Sequence, residues 1–421
     1  MKFLSTPKIL IVSILMLFAS STIFAQEDVV LQWHRVLTTV VRTPGVQPAT
    51  INSNRSYSMM HAAMFDAINS IEGTYTPYLI SVPGTRFAST RIAGAKAAYD
   101  VLSALYPTQQ ALLDAEFLIS LDGMATTRNR NAMRIGEITA AAILTDRNND
   151  GWAVTPPPFV LPPTPGNWQP TPPGFVPAAL THYGAVKPFT TTSSAQFRPN
   201  PPPSLTSAEY TADFNEEKEL GSATSTTRSA DQTLVARLWA SGPNSAYLWF
   251  AVARDQAISR NLSTAETARL FALLSITYHD TLQTSWASKY VYGLWRPVTA
   301  IRRADEDGNP DTAQDPNWTS LIVTPPYPTY AGNASAHGMS QAVVLGLFFG
   351  RDDTQFQATF EGPPVTTRSY SSFSALADEQ ARSRVYGGIH FTFDNKAGQS
   401  IGRNVANYVF TNYLKRRECT F

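Results

Sequence analysis

Residues 263–297 read STAETARLFALLSITYHDTLQTSWASKYVYGLWRP. Ser263-Thr264-Ala265-Glu266 is a capping box: the serine caps the first turn while Glu266 reaches back to its backbone N–H. Leu270, Leu273, Leu274, Tyr278 and Leu282 follow at helical spacing, so the pattern predicts one long helix as far as Trp295. Pro297 biases Arg296 away from helical backbone and ends it. On such a helix Lys289 and Arg296 share a face two turns apart, because seven steps of about 100° return to within about 20°. Tyr290, Val291, Tyr292, Leu294 and Trp295 make their surroundings apolar, and cations in such a setting need a partner.

Around this stretch the chain reads as all-α, two packed helix bundles with a long proline-rich extended connection. Residues 54–146 carry alanine-rich runs with apolar spacings of three and four, which assigns 26–154 to an N-terminal helical bundle. Residues 155–203 hold half of the chain's 30 prolines, too many for regular helix. Trp168, Phe175, Tyr183 and Phe189 are anchors that a free linker would not need, so the segment is expected to wrap over the body, a disordered linker being the alternative. Residues 204–421 form the second bundle, with an apolar helical run over 339–349 and a last helix after Gly387-Gly388. Strand alternation is scarce throughout.

The composition excludes several classes of function. The 421 residues carry a formal net charge of +1, so nothing marks a nucleic-acid partner. The single cysteine, Cys419, excludes an internal disulfide framework and cysteine-ligated metal sites. Lys2 and Lys8 before an apolar stretch to Ala25 read as a signal peptide over residues 1–25, with an uncleaved anchor as the alternative. No later run is long and apolar enough to span a bilayer. The expectation is an exported protein, periplasmic or secreted, with no membrane association after cleavage; its oligomeric state stays open.

Two more segments hold chemistry. Ala334-Ser335-Ala336-His337-Gly338 leads into an apolar helix, where free backbone N–H groups beside a serine hydroxyl make an anion site and His337 sits at its rim. In Ser383-Arg384-Val385-Tyr386-Gly387-Gly388-Ile389-His390-Phe391-Thr392-Phe393-Asp394, His390 and Asp394 are four apart, so the carboxylate can bond one ring nitrogen and leave the other free for a metal or a reaction. The double glycine lets the chain return Arg384 to that side. Three cations, serine and amide donors and two histidines suit a compact tetrahedral oxyanion.

The order K-x6-R-P, S-x-H, S-R-x3-G-x-H-x3-D resembles the signature of the vanadium-dependent haloperoxidases and the type-2 phosphatidic acid phosphatases. The first and third parts match fully. The middle part departs: instead of Pro-Ser-Gly-His after an aromatic residue, Tyr330-Ala331-Gly332-Asn333-Ala334 precedes Ser335-Ala336-His337. The resemblance implies vanadate as cofactor, with His390 bonding the metal and Asp394 orienting it. It also implies that Lys289, Arg296, Arg384, Ser335 and the Ala336 amide hold the oxygens, with His337 as acid–base group. Hydrogen peroxide, halide and a small organic acceptor would be the partners, and Trp286 and Tyr327 would line the halide pocket. The same pocket in a soluble phosphatase would work through a phosphohistidine, and a binding protein without turnover is a third reading.

Other features carry less. Asp146 to Gly151 starts like a calcium loop, but Pro157 stands where its twelfth-position glutamate belongs. His61 reads as a packing residue, and His279 and Asp280 as support for the site from behind.

Overall fold

The computed structural model describes residues 27–46, 53–83, 87–121, 127–362 and 364–417; the expected signal peptide lies outside them. Thirteen α-helices and one hairpin make up the described fold. The first group is α1 (Val29–Arg42), α2 (Ser53–Glu72), α3 (Thr90–Leu105), α4 (Gln110–Leu121) and α5 (Thr127–Asp146). The second is α6 (Ala208–Leu220), α7 (Ala230–Ala240), α8 (Gly242–Ser259), α9 (Thr264–Tyr292), α10 (Pro297–Arg302), α11 (Asn333–Phe349), α12 (Phe373–Tyr386) and α13 (Thr392–Asn412). No described helix is long and apolar enough to cross a membrane.

Helix α9 is the axis of the molecule. It packs on α1 and α2 on one side and on α11 and α13 on the other, and it is buried almost continuously from Thr267 to Lys289. A helix covered all round needs no polar face, which explains its weak amphipathic pattern. The expected capping box forms, with Ser263 Oγ accepting from the Glu266 amide and Glu266 accepting from the Ser263 amide. The core is continuous across both groups, from Trp33 and Phe65 through Phe271 and Leu274 to Val405.

The helix ends earlier than its apolar pattern suggests. Gly293 takes φ +58°, a left-handed cap open to glycine, and donates its N–H to Lys289 O. Arg296 therefore lies outside α9, as the N-cap of α10 with Pro297 in its first turn. The shared helix face expected for Lys289 and Arg296 does not exist; the turn between them brings them together.

Residues 155–203 contain no α-helix, only a 3-10 turn at Tyr183–Ala185. The Trp168 amide donates to Gly293 O at 2.7 Å, and Trp168, Tyr183 and Phe189 are buried. Phe175 is not an anchor: it is 63% exposed. Asp280 holds the segment from beneath, accepting the amides of Phe189, Thr190 and Thr191 at 2.7–2.9 Å. His279 bonds Asp280 and packs edge-on against Tyr183 and Phe189. This pair thus fastens the proline-rich segment to α9. Asp150, from the rejected calcium loop, accepts instead from Arg55 and Arg147.

A hairpin of β1 (Phe356–Phe360) and β2 (Thr366–Tyr370) pairs antiparallel, with Phe356 opposite Tyr370. Sequence reading missed it, since each strand is five residues long. Near the site, α11 and α13 cross with little separation. A Cβ at Gly402 would sit 2.2 Å from Ala336 O, and one at Gly398 2.1 Å from Gly332 O, so both positions require glycine.

Candidate active site

Five elements converge beneath a cavity. The last turn of α9 contributes Lys289, the N-cap of α10 contributes Arg296, and the last turn of α12 contributes Arg384. His390 precedes α13, and Asp394 lies in that helix's first turn.

The hydrogen bonds fix the state of His390. Its Nε2 lies 3.1 Å from Arg296 Nη1, and arginine can only donate, so Nε2 carries the lone pair. Nδ1 then bears the proton and donates to Asp394 Oδ2 at 3.1 Å. Thr329 donates its hydroxyl to the same Oδ2, and the Phe391 amide adds a third bond at 3.1 Å. Burial, followed by the neighbouring Arg296, Lys289 and Arg384, holds His390 far below its ordinary pKa, so the ring is neutral. Burial pushes the Asp394 carboxyl up to about 7.

The cations outnumber the anions. Lys289 and Arg296 are 0% exposed and Arg384 is 8% exposed. Lys289 Nζ donates to Thr329 O and Ala331 O at 2.7 Å each, and Arg296 donates to Tyr327 O at 2.7 Å and Ile389 O at 2.8 Å. None of these acceptors is charged. Burial and the adjacent Arg296 hold Lys289 far below its usual pKa, and burial lowers Arg384 to about 10. Among the described residues, Arg296 Nη2 and Arg384 Nη2 are buried without any partner. Unpaired buried guanidinium nitrogens beside a neutral imidazole lone pair make a site that lacks its anion.

The N-terminus of α11 completes the arrangement in a way the sequence reading misplaced. The helix begins at Asn333, so Ser335 and Ala336 lie inside its first turn. The Ala336 amide donates to Gly332 O at 3.1 Å, and the Ser335 hydroxyl donates to Asn395 Oδ1 at 2.6 Å. The Ala336 amide is thus bonded within the first turn of its own helix, and the Ser335 hydroxyl is bonded to α13. The amides of Asn333, Ala334 and Ser335 are the first three of the helix, with no acceptor among the described residues. His337 is 2% exposed, with its ring stacked on Tyr278 at 3.8 Å. Burial lowers its pKa to about 3, and its Nε2 has no partner among the described residues.

A cavity of about 480 Å³ lies over these groups, lined by Asn333, Ala334, His337 and Arg384 together with Trp286 and Tyr327. The Trp286 and Tyr327 rings lie 4.7 Å apart. Arg296 lies 4.7 Å and Lys289 5.3 Å from the Tyr327 ring centre, in cation–π contact. A larger cavity, about 590 Å³, holds none of the site's groups; His34, Arg42 and Arg254 line it. The structure thus unites Lys289, Arg296, Arg384, His390, Asp394 and His337, with Ser335 and Ala336 in the first turn of the adjoining α11. Sequence reading missed Thr329, the second partner of Asp394, because a single hydroxyl 65 positions away leaves no local pattern. It also missed Gln380, which lines the cavity.

The chain is similar to known proteins in sequence and in fold. Residues 269–418 match the family described as the VCPO second helical-bundle domain. The vanadium chloroperoxidase of Curvularia inaequalis is 26% identical over a 466-residue alignment, covering 83% of this chain and 75% of that protein. Among solved structures, the first bacterial vanadium-dependent iodoperoxidase superposes with a TM-score of 0.79 at 24% identity, covering 93% of this chain and 96% of that one. A holo-type bacterial vanadium-dependent chloroperoxidase superposes with a TM-score of 0.69 at 14% identity, covering 90% and 96%. At these identities the two superpositions establish the shared helical fold.

Proposed function

The chain belongs to the vanadium-dependent haloperoxidase family, and on that premise we propose that it binds vanadate and uses hydrogen peroxide to oxidise a halide. The observation that carries this reading is the buried cluster of Lys289, Arg296 and Arg384, with two unpartnered guanidinium nitrogens beside the Nε2 lone pair of His390. Those groups fit a tetrahedral oxyanion with one nitrogen ligand. Arg296, Arg384, Lys289 and the free amides of α11 would hold its oxygens, and His390 Nε2 would bond the metal. Bound vanadate supplies Lewis-acid activation of peroxide without a change in the metal's own oxidation state.

The protein's part is placement and proton handling. Asp394 and Thr329 hold His390 in the tautomer that exposes Nε2. The three cations offset negative charge in a site closed to bulk water, where electrostatic interactions are stronger than in solvent. His337, neutral at pH 7, offers Nε2 as acceptor for a proton released by peroxide. Trp286 and Tyr327 give the halide a polarisable wall. We further propose removal of residues 1–25 and action in the periplasm or outside the cell.

The test is halogenation of a dye by the purified protein with iodide, bromide or chloride and hydrogen peroxide, before and after adding orthovanadate. Vanadate-dependent halogenation suppressed by phosphate is expected. Hydrolysis of 4-nitrophenyl phosphate, inhibited by vanadate and without halogenation of any halide, would overturn the reading.

A further inference from the structure

Helix α13 cannot cap itself. Its N-cap is Phe391, whose side chain has no oxygen to accept an amide, and the first N–H groups of a helix have no partner within it. Asp394 Oδ2 takes the Phe391 amide at 3.1 Å while it also holds His390 Nδ1, so the ring's place depends on this first turn keeping its shape. His390 itself lies one residue before the N-cap, outside the helix.

The acceptors come from α6 instead. Asp213 Oδ2 accepts the Phe393 amide at 2.5 Å, and Glu216 Oε2 accepts the Thr392 hydroxyl at 2.6 Å. The two carboxylates stand three apart and so share one face of α6. Arg382 of α12 donates to Glu216 Oε1 at 2.7 Å and to the Thr392 hydroxyl at 3.0 Å, which ties three helices together at this point. One residue past α6 the backbones come closer still: a Cβ at Gly221 would lie 2.6 Å from the Cα of Gly388, two residues before His390. Helix α6 thus grips the chain on either side of His390 in sequence, and its negative charge suits the positive end of α13. Neither carboxylate lines the cavity.

We propose that Asp213 and Glu216 are positioning residues for His390 Nε2: they cap α13 from outside, and that cap keeps Asp394 where it holds the ring in one tautomer. Without the Asp213 acceptor the Phe393 amide is left buried and unpaired, the first turn loosens, and Asp394 no longer fixes Nδ1. What Nε2 bonds rests on the haloperoxidase reading; how the ring is held does not.

Heteronuclear NMR of the full vanadate-free protein, with the histidine ring nitrogens labelled, reads the tautomer, and titration with orthovanadate reads the availability of Nε2. In the wild type, Nδ1 of His390 is expected at a protonated shift and Nε2 at a bare one; His390→Ala identifies the signals. Asp213→Ala should average the two shifts and weaken orthovanadate by at least about tenfold. Asp213→Asn keeps an oxygen for the Phe393 amide, so it should restore the wild-type shifts and an affinity within about twofold. Asp66→Ala, which strips the acceptor from the amides of residues 78–80, should lower the unfolding temperature without moving either readout. If Asp213→Ala does not fold, Glu216→Ala and its rescue Glu216→Gln carry the same expectations. Alanine variants with wild-type shifts and affinity overturn the proposal. So does an asparagine variant as damaged as the alanine one, or an equal response to Asp66→Ala. A wild type that binds no orthovanadate counts against the haloperoxidase reading, while the shifts still decide how the ring is held.

Discussion

His390 is held in one tautomer because each partner has a single role: Arg296 can only donate, and the Asp394 Oδ2 that Thr329 already donates to can only accept. His390→Ala should abolish vanadate-dependent halogenation while circular dichroism and unfolding temperature stay close to wild type. Retained activity would remove His390 from the site. Ser335 makes the opposite case. Its hydroxyl is bonded to Asn395, so Ser335→Ala should leave vanadate affinity within about twofold and cost about 1 kcal/mol of stability, measured by denaturant unfolding. A loss of affinity above tenfold would return that hydroxyl to the oxyanion. His337→Ala should lower turnover at least 100-fold while changing vanadate affinity far less, read from steady-state rates beside binding titrations; an unchanged rate would exclude it from proton transfer.

At the scale of elements, the crossing of α11 and α13 depends on atoms that are missing. Gly402→Ala places a methyl 2.2 Å from Ala336 O, and the expected loss is about 1–3 kcal/mol with a displaced α11 N-terminus and weakened anion binding. Between α1 and α2, His34 Nδ1 and His61 Nε2 meet at 3.1 Å among Tyr57, Phe250 and Phe271. Burial holds both below their ordinary pKa, His34 at about 3. The folded state keeps them neutral while the unfolded chain takes up protons below about 6.5, so their contribution is full above that pH and falls as pH drops. Each accounts for up to about 1.4 kcal/mol per pH unit. His61→Gln removes one share, so its stability deficit against wild type should narrow between pH 6.5 and 5 in parallel urea titrations. A constant gap would mean that His61 is charged in the fold.

Elements were legible where sequence and burial agree, and illegible where one residue overrides a pattern. The capping box at Ser263 and Glu266 marked the start of α9, because its two bonds are local. Its end was misjudged because apolar residues continue to Trp295 while Gly293 alone turns the chain. The start of α11 was set too late, since Asn333 to His337 is polar and small and resembles a turn until α13 packs on it. The residues of the first and third motifs were legible from their spacing. The free amides of α11 were not, because which amides are free depends on where a helix begins.

The whole molecule centres on α9, which joins the two helical groups through one core and delivers Lys289 to the pocket at its end. Three buried cations against a partly neutralised Asp394 leave the fold short of an anion. Orthovanadate at 100 times its dissociation constant should therefore stabilise the protein by about 2.7 kcal/mol, seen as a rise in unfolding temperature that phosphate reproduces in part. The most direct measurement is equilibrium titration of the vanadate-free protein with orthovanadate, with and without phosphate, for wild type and His390→Ala. The account predicts one saturable site per chain, competed by phosphate and weakened at least 100-fold by the substitution. Absence of saturable binding, or binding indifferent to His390, would contradict it.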